Sequence, residues 1–490
     1  MSVPLSTIRE ALDRAGLVLA ADDNLPRDIS LVTDDSRRVQ PGSLFVAVRG
    51  AAADGHDYLQ AVEQEGAVAA IVETAGRTSL PTVRVRDGRR AAAVAAAAYH
   101  AWPAESLRLI AVTGTSGKST SVAMLRHVFD DPAGSSASIG TLGVLRGSLG
   151  EPFAVIGGLT TPGPIELQGV LRSLLDGGVR TVAMEVSSHA LDQQRVGTVA
   201  FEAAVFTNLS HEHLDYHGSM SAYLAAKARL TDMLTPNGAA IVNADEPAWR
   251  DLPSTPRRIS FGMQSADVCA RHPTYTPAGS RWTLSTPDGN ADVALPLIGD
   301  FNVMNALGAA AAAWALGVPV PTIAARLTTI PQVPGRLERV WEEPVVLRDY
   351  AHKPDALSRA LDAVRPFVPR GRRIITVFGC GGDRDRAKRP VMGRIAQEKS
   401  DLVIITSDNP RTEDPERILD EIAAGMGTKP YERIEDRRAA IARALDAAQP
   451  GDVVMLAGKG HETYQIRGTT KYPFDESEIV KELAGERRKA

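Results

Sequence analysis

The sequence predicts a three-domain α/β protein with a central phosphate-loop sheet domain between two further α/β domains. Three observations carry that expectation. The chain has 490 residues, more than one hydrophobic core usually serves. Short apolar strands alternate with helical segments along nearly all of it, the pattern of parallel sheets covered on both faces. A single phosphate-loop sequence, Thr113-Gly114-Thr115-Ser116-Gly117-Lys118-Ser119-Thr120, opens the middle block.

The first block, 1–105, carries expected strands at 43–48, 67–72 and 82–85. Helices are expected at 58–64 and along the alanine run from Arg90, and Ala-Trp-Pro-Ala at 101–104 acts as a stop and linker. The second block, 106–335, begins on an apolar strand at 109–112 and passes through the loop into a helix containing Met124 and Leu125. Strands are expected at 179–184, 203–207 and 239–243, with helices around 223–234 and 303–316. Pro331, Pro334 and Gly335 break the chain before the third block, 336–490. There, strands at 345–348, 373–378, 401–406 and 452–456 between helices predict a doubly wound, Rossmann-like sheet. The last residues, Glu-Arg-Arg-Lys-Ala, are expected to fray.

Composition excludes several classes. A net charge of −4 supplies no basic field for nucleic acid or an anionic membrane surface. Two cysteines, Cys269 and Cys380, cannot build a disulfide framework and suit a reducing cytoplasm. Glu10, Asp13, Arg14, Asp22 and Asp23 leave no apolar signal region at the N-terminus. The greasiest stretches, 91–98 and 306–316, are too short to cross a bilayer. A soluble cytoplasmic protein without membrane insertion is expected.

In the phosphate loop, Gly114 and Gly117 let backbone N–H groups turn toward an anion, and the following helix adds about half a positive charge at its N-terminus. Lys118 can reach terminal phosphates, and Ser119 or Thr120 can hold Mg²⁺. Val112 stands where the first glycine of the general motif would be. The alternative is a tight turn with an incidental lysine.

Further polar clusters fall at predicted strand ends, where open α/β sheets bind ligands. They are Thr160-Thr161-Pro162; Glu185-Val186-Ser187-Ser188-His189 with Gln193 and Arg195; and the segment from Thr207 to His217. Glu185 reads either as a Mg²⁺ ligand or as a helix-capping acid. His211, His213 and His217 lie close in sequence, but the cysteines or helical spacing that would favour zinc are missing. Lys227, taken alone, reads as a solvated helix lysine. The third block adds Asp349-Tyr350-Ala351-His352, a glycine-rich loop ending in Arg384, the tetrapeptide Asp408-Asn409-Pro410-Arg411, and Gly458-Lys459-Gly460-His461-Glu462. Both charge signs are present, as a site for a zwitterionic amino acid requires. Loop charges in water are the plain alternative.

These ordered motifs, with Asp35-Ser36-Arg37, Pro41 to Ala47, Asn302 to Ala306 and Pro334-Gly335-Arg336, resemble the Mur ligase family over nearly the whole chain. These are the ATP-dependent amide-forming enzymes of peptidoglycan precursor synthesis. Within the family the chain is similar to the branch that adds the third stem-peptide residue to UDP-N-acetylmuramoyl-L-alanyl-D-glutamate. The resemblance implies a UDP-binding domain over 1–105, an ATP-binding domain over 106–335 and an amino-acid-binding domain over 336–490. It assigns Asp34, Ser36, Ala51, Ala52 and Ala53 to the uridine nucleotide, and Thr160, Thr161, Ser187, Gln193 and Arg195 to the muramoyl dipeptide. It assigns Glu185 and His213, beside Ser119, to Mg²⁺, and makes Lys227 a carbamylated lysine. Asn302, Asn305, Arg336, Asp349 and His352 are placed around ATP, the co-substrate. Arg384, Asp408, Asn409, Pro410, Arg411, Gly458 and Glu462 are placed around the amino acid. Asp-Asn-Pro-Arg is linked to meso-diaminopimelate, whereas L-lysine-adding forms differ here.

The implied route is an acyl phosphate attacked by an amine, with His352 a candidate base and a monomer as the working form. Ser116, Leu159 and Lys353 depart from the commoner family pattern, the first and third beside the nucleotide and the second beside the muramoyl substrate. A folylpolyglutamate synthetase shares the phosphate loop, but that family begins directly with its ATPase domain. A nucleotide switch would have no use for the amino-acid-like charges of the third block.

Overall fold

The computed structural model describes residues 2–50, 53–74, 76–132, 134–154, 156–276 and 278–487. Of the tail expected to fray, residues 488–490 lie outside these, while 486 and 487 continue the last helix, Glu476–Arg487. The chain divides into two compact units: Met1–Arg271 with Leu284–Ala291 and Met304–Leu327, and His272–Thr283 with Asp292–Val303 and Thr328–Ala490.

The first unit is built mainly on two sheets, beside a short pairing of Val3–Pro4 with Asp28–Ile29. The smaller runs in the order Val18–Ala21, Thr82–Val85, Ala67–Val72, Ser43–Val46, Leu31–Thr33, all parallel except the first. Ser43–Val46 is buried at every residue, which explains its unbroken rather than alternating apolar sequence. The alanine run forms Gly88–Tyr99, capped by Asp87. It ends where Ala101 and Trp102 turn left-handed, at the expected linker.

In the larger sheet, Arg108–Thr113 lies between Val179–Glu185 and Phe201–Phe206, parallel to both. Val112 pairs with Glu185 and Val205, so three strands end side by side. Each end runs directly into a motif: the phosphate loop, Glu185 to Ser188, and Thr207-Asn208. Beyond Phe201–Phe206 come Leu234–Asn243 and Arg257–Gly262. On the other side, Ser135–Gly140 pairs with Val179–Glu185, followed by Gly143–Arg146 and Glu151–Ala154. These three strands were not expected, because their serines and glycines mask the apolar pattern. The helix expected at 223–234 is shorter, Met220–Ala228, and tightens into a 3₁₀ turn over Arg229–Met233. Thr231 Oγ1 donates to the Ala228 carbonyl at 2.7 Å within that turn.

The second unit carries a six-stranded sheet: Glu338–Glu342, Val345–Asp349, Val453–Ala457, Ile374–Phe378, Leu402–Ile405, Glu432–Arg433. Only the pairing of the first two is antiparallel. Separate apolar cores, one around Leu361 and Met392 and the other around Ile441 and Val480, fit a doubly wound arrangement. Asp349 pairs with Ala457, Ala457 with Phe378, and Phe378 with Ile405. The four loops singled out in the sequence therefore leave one end of this sheet together. Among the described residues, no helix is long and apolar enough to cross a membrane.

Candidate active site

Gly114 and Gly117 take φ of +144° and +87°, backbone that side chains rarely adopt. Space demands glycine as well, since a Cβ on Gly114 would overlap Thr207 Oγ1 and one on Gly117 would overlap Asn305 Oδ1. The loop is pinned from the neighbouring strand end. Thr207 Oγ1 donates to the carbonyl of Ser116 at 2.7 Å, and Asn208 Oδ1 accepts from Ser116 N at 2.9 Å. Thr115 N donates to the Asn208 carbonyl at 2.8 Å. Lys118, Ser119 and Thr120 open the helix Lys118–Phe129, which presents its first-turn N–H groups to the loop.

Lys227 is not a solvated lysine. It is 1% exposed, lies 4.7 Å from the Tyr223 ring, and donates to the Gly114 carbonyl at 2.9 Å. Lys118 Nζ donates to that same carbonyl and to that of Thr115, each at 2.9 Å. Burial, reinforced by the Lys118 charge, holds the Lys227 amine well below its usual range.

Glu185 is 1% exposed, and its carboxylate accepts from Thr141 N at 2.8 Å and Thr141 Oγ1 at 3.3 Å. The helix-capping reading fails, because the helix Ser188–Asp192 is capped by Ser187, whose Oγ accepts from Ala190 N. Thr160 Oγ1 lies 3.3 Å from Thr141 Oγ1, and Thr161 Oγ1 donates to the Glu185 carbonyl at 2.9 Å. Arg195 donates to the Thr161 carbonyl at 3.0 Å and to Gln193 Oε1 at 2.7 Å. Thr160, Thr161, Ser187, Gln193 and Arg195 thus form one hydrogen-bonded group with Glu185. His213 adopts φ +56° and packs edge-on to His189 at 4.7 Å. Burial, then the charges of Lys118 and Lys227, lower its pKa.

Among the described residues, no three His, Cys, Asp or Glu side chains converge to hold a metal by themselves. The predicted set of one carboxylate, one imidazole and the Ser119 hydroxyl fits an oxygen-preferring ion that takes further ligands from phosphates. It does not make a zinc cage.

Of the uridine set, Ala51 and Ala52 lie outside the described residues. Asp34 is exposed after Leu31–Thr33, Ser36 opens a 3₁₀ turn capped by Asp35, and the Ala53 carbonyl accepts from Gly50 N at 2.9 Å.

The remaining residues belong to the second unit. Asn302 donates to the Ile298 carbonyl at 2.8 Å. Arg336 lies over the Tyr350 ring at 5.1 Å. Asp349 accepts from Leu337 N at 2.7 Å, and burial pushes its carboxyl up to about 6. His352 Nδ1 lies 2.8 Å from the Tyr350 carbonyl; that oxygen only accepts, so Nδ1 carries the proton and Nε2 the lone pair. Burial lowers the His352 pKa, favouring the neutral ring.

In the amino-acid set, Asp408 and Gly458 are buried neighbours: a Cβ on Gly458 would come within 2.7 Å of Asp408 Oδ2. Asn409 donates to Glu462 Oε2 at 2.8 Å. Arg411 has φ +52° and donates to the Gly382 carbonyl at 2.8 Å. Pro410 accepts from Glu413 N, and Arg384 is exposed. The hairpin Tyr464–Arg467 and Thr470–Pro473 braces this loop, with Arg411 N donating to Ile466 O and Gly468 N to Arg411 O.

Sequence reasoning missed Thr141, which holds Glu185, and Lys459, which is fully buried beside Asn409. Thr141 gave no signal. A lysine flanked by two glycines at a strand end was one for Lys459.

Three family models match in order: residues 28–104 match "Mur ligase family, catalytic domain", 112–313 "Mur ligase middle domain", and 335–460 "Mur ligase, glutamate ligase domain". A UDP-N-acetylmuramoyl-L-alanyl-D-glutamate–2,6-diaminopimelate ligase of Gloeobacter violaceus is 44% identical over 99% of both chains. A solved structure under the same enzyme name is 31% identical, covers 100% of both chains and has a TM-score of 0.70. A folylpolyglutamate synthase of Mycobacterium tuberculosis, 17% identical over 75% of this chain and 91% of its own with a TM-score of 0.62, shares the fold alone. The architecture is the three-domain α/β plan of a central ATPase domain with two flanking domains. With identity of this level running end to end and all three models laid in order, the chain belongs to the Mur ligase family.

Proposed function

We infer that this enzyme is the ATP-dependent ligase joining meso-diaminopimelate to UDP-N-acetylmuramoyl-L-alanyl-D-glutamate in peptidoglycan precursor synthesis. The observation that carries the reading is the 44% identity over 99% of both chains to a relative of that name. Asp408-Asn409-Pro410-Arg411 supports the choice of amino acid, because Arg411 offers a planar cation for a distal carboxylate that lysine lacks. The assigned domains are 1–105 for UDP, 106–335 for ATP and 336–490 for the amino acid. The enzyme works in the cytoplasm as a monomer.

A carboxylate oxygen of the D-glutamyl residue attacks the γ-phosphorus of ATP, and the bond to the β-bridging oxygen breaks, releasing ADP. The loop N–H groups and Lys118 stabilise the charge on the transferred group. Mg²⁺, held by Glu185, His213 and Ser119, would neutralise phosphate charge when bound. The amine then attacks the acyl carbon, and the C–O bond to phosphate breaks. As the C–N bond forms, the nitrogen's proton becomes acidic, and His352 Nε2 is the assigned acceptor. Lys227, whose uncharged form burial favours, can add to CO₂ through its nitrogen with loss of one proton. The resulting carbamate places an anion, in the position of an uncharged amine, facing Lys118.

The test is phosphate release with ATP, the UDP-muramoyl dipeptide and a panel of amino acids. Release that requires all three substrates and is fastest with meso-diaminopimelate is expected. Equal kcat/KM for L-lysine defeats the amino-acid assignment, and release independent of the UDP-muramoyl dipeptide defeats the ligase.

A further inference from the structure

Lys459 is fully buried, and no step above uses it. A buried ammonium is costly unless its charge is paired and its donors are satisfied. Its Nζ stands 3.1 Å from Asn409 Oδ1, 3.4 Å from Glu462 Oε2 and 5.9 Å from the Tyr464 ring centroid. Lysine only donates, so Asn409 must turn its oxygen toward Lys459. The N–H of Ile466 donates to that same oxygen at 2.9 Å. The Asn409 amide NH₂ is thereby aimed at Glu462 Oε2, 2.8 Å away. Lys459, Asn409 and Glu462 close a ring in which each member fixes the orientation of the next. The ring ties the loop after Leu402–Ile405, the loop after Val453–Ala457 and the hairpin strand Tyr464–Arg467.

We propose that Lys459 is a positioning residue for the incoming amino acid, locking the Asn409 amide and the Glu462 carboxylate into one arrangement before substrate arrives. This rests on the reading that the loops at 408–411 and 458–462 receive that amino acid. Without Lys459 the Asn409 oxygen is held by the Ile466 N–H alone, and the Glu462 carboxylate loses its charge partner in a largely buried setting. Both effects fall on amino-acid binding rather than on ATP.

The test is Lys459→Met, which keeps the stem length and removes the charge and its donors. KM for the amino acid is expected to rise about tenfold or more, the cost of a lost charge-assisted hydrogen bond. KM for ATP and for the UDP-muramoyl dipeptide should stay within about twofold of the unmodified values. In the double variant with Glu462→Gln, no uncompensated carboxylate remains. Its loss in kcat/KM should be smaller than the product of the two single losses, and it should regain thermal stability lost by Lys459→Met. A fall in kcat with unchanged amino-acid KM, or multiplicative losses, overturns the proposal. If Lys459→Met does not fold, the double variant decides: recovery of folding supports the proposal and failure to fold overturns it. Each KM is read with whichever amino acid the unmodified enzyme uses best. A different substrate would therefore refute the function reading and leave this test intact.

Discussion

Lys227 donates to the carbonyl of Gly114 at 2.9 Å, so a helix 113 residues downstream ends its reach on the first glycine of the phosphate loop. Lys118 uses the same carbonyl. Two amines on one oxygen repel when both are charged, and burial at 1% exposure together with the Lys118 charge lowers the Lys227 pKa well below its usual range. The loop therefore gathers two lysines on one carbonyl and favours the uncharged form of Lys227.

Lys227→Ala is expected to lose most activity at ordinary bicarbonate and to recover part of it with added acetate or formate, small anions that can occupy the carbamate's place. Initial rates with and without the added acid check this. Full activity in the variant would remove Lys227 from the mechanism.

Gly140→Ala should slow turnover by on the order of a hundredfold while the fold survives, a misplacement cost of the kind seen when a reacting group shifts by about an ångström. The reason is local: an added Cβ would collide with the Glu185 side chain, whose carboxylate is held by Thr141. A normal kcat together with a lowered melting temperature would show that Glu185 does not serve the reaction.

Arg411→Ala should erase discrimination between meso-diaminopimelate and L-lysine more than it weakens ATP. A site built to pair a guanidinium with a carboxylate rejects a substrate lacking it by roughly a hundredfold or more. Competing-substrate kcat/KM ratios for the variant and the unmodified enzyme decide the matter.

Asp349→Asn should flatten part of the stability profile on the acid side. Burial raises the Asp349 pKa from 3.8 to about 6, so between those values the folded state holds more protons than the unfolded one. Its contribution to stability is present below about pH 4 and is lost as pH rises through about 6. Urea midpoints from pH 4 to 7 should show this component in the unmodified protein and not in the variant.

The strands that carry the candidate site were legible because they are continuous apolar runs, as at Arg108–Thr113 and Val453–Ala457. The hairpin strands at Ser135–Gly140 and Gly143–Arg146 were not, since serine and glycine there follow close packing around Glu185 and Arg126 rather than a periodic pattern. The helix around Lys227 was foreseen, but its length and burial were not.

By itself the sequence determined the α/β class, the phosphate loop, the strand-end position of the clusters from Glu185, from Thr207 and in the third block (Thr160-Thr161-Pro162 instead lies in the loop before the helix Pro164–Asp176) and, through resemblance, the family. These are local properties: periodicity, glycine placement and residue type act within a few positions. Only the tertiary structure decided which polar groups are buried together. Glu185 turned from a possible helix cap into a carboxylate held by Thr141, Lys227 from a surface lysine into a desolvated amine on Gly114, and Lys459 into a fully buried cation between Asn409 and Glu462. Desolvation depends on what packs around a side chain from distant segments, and no short stretch of sequence records that.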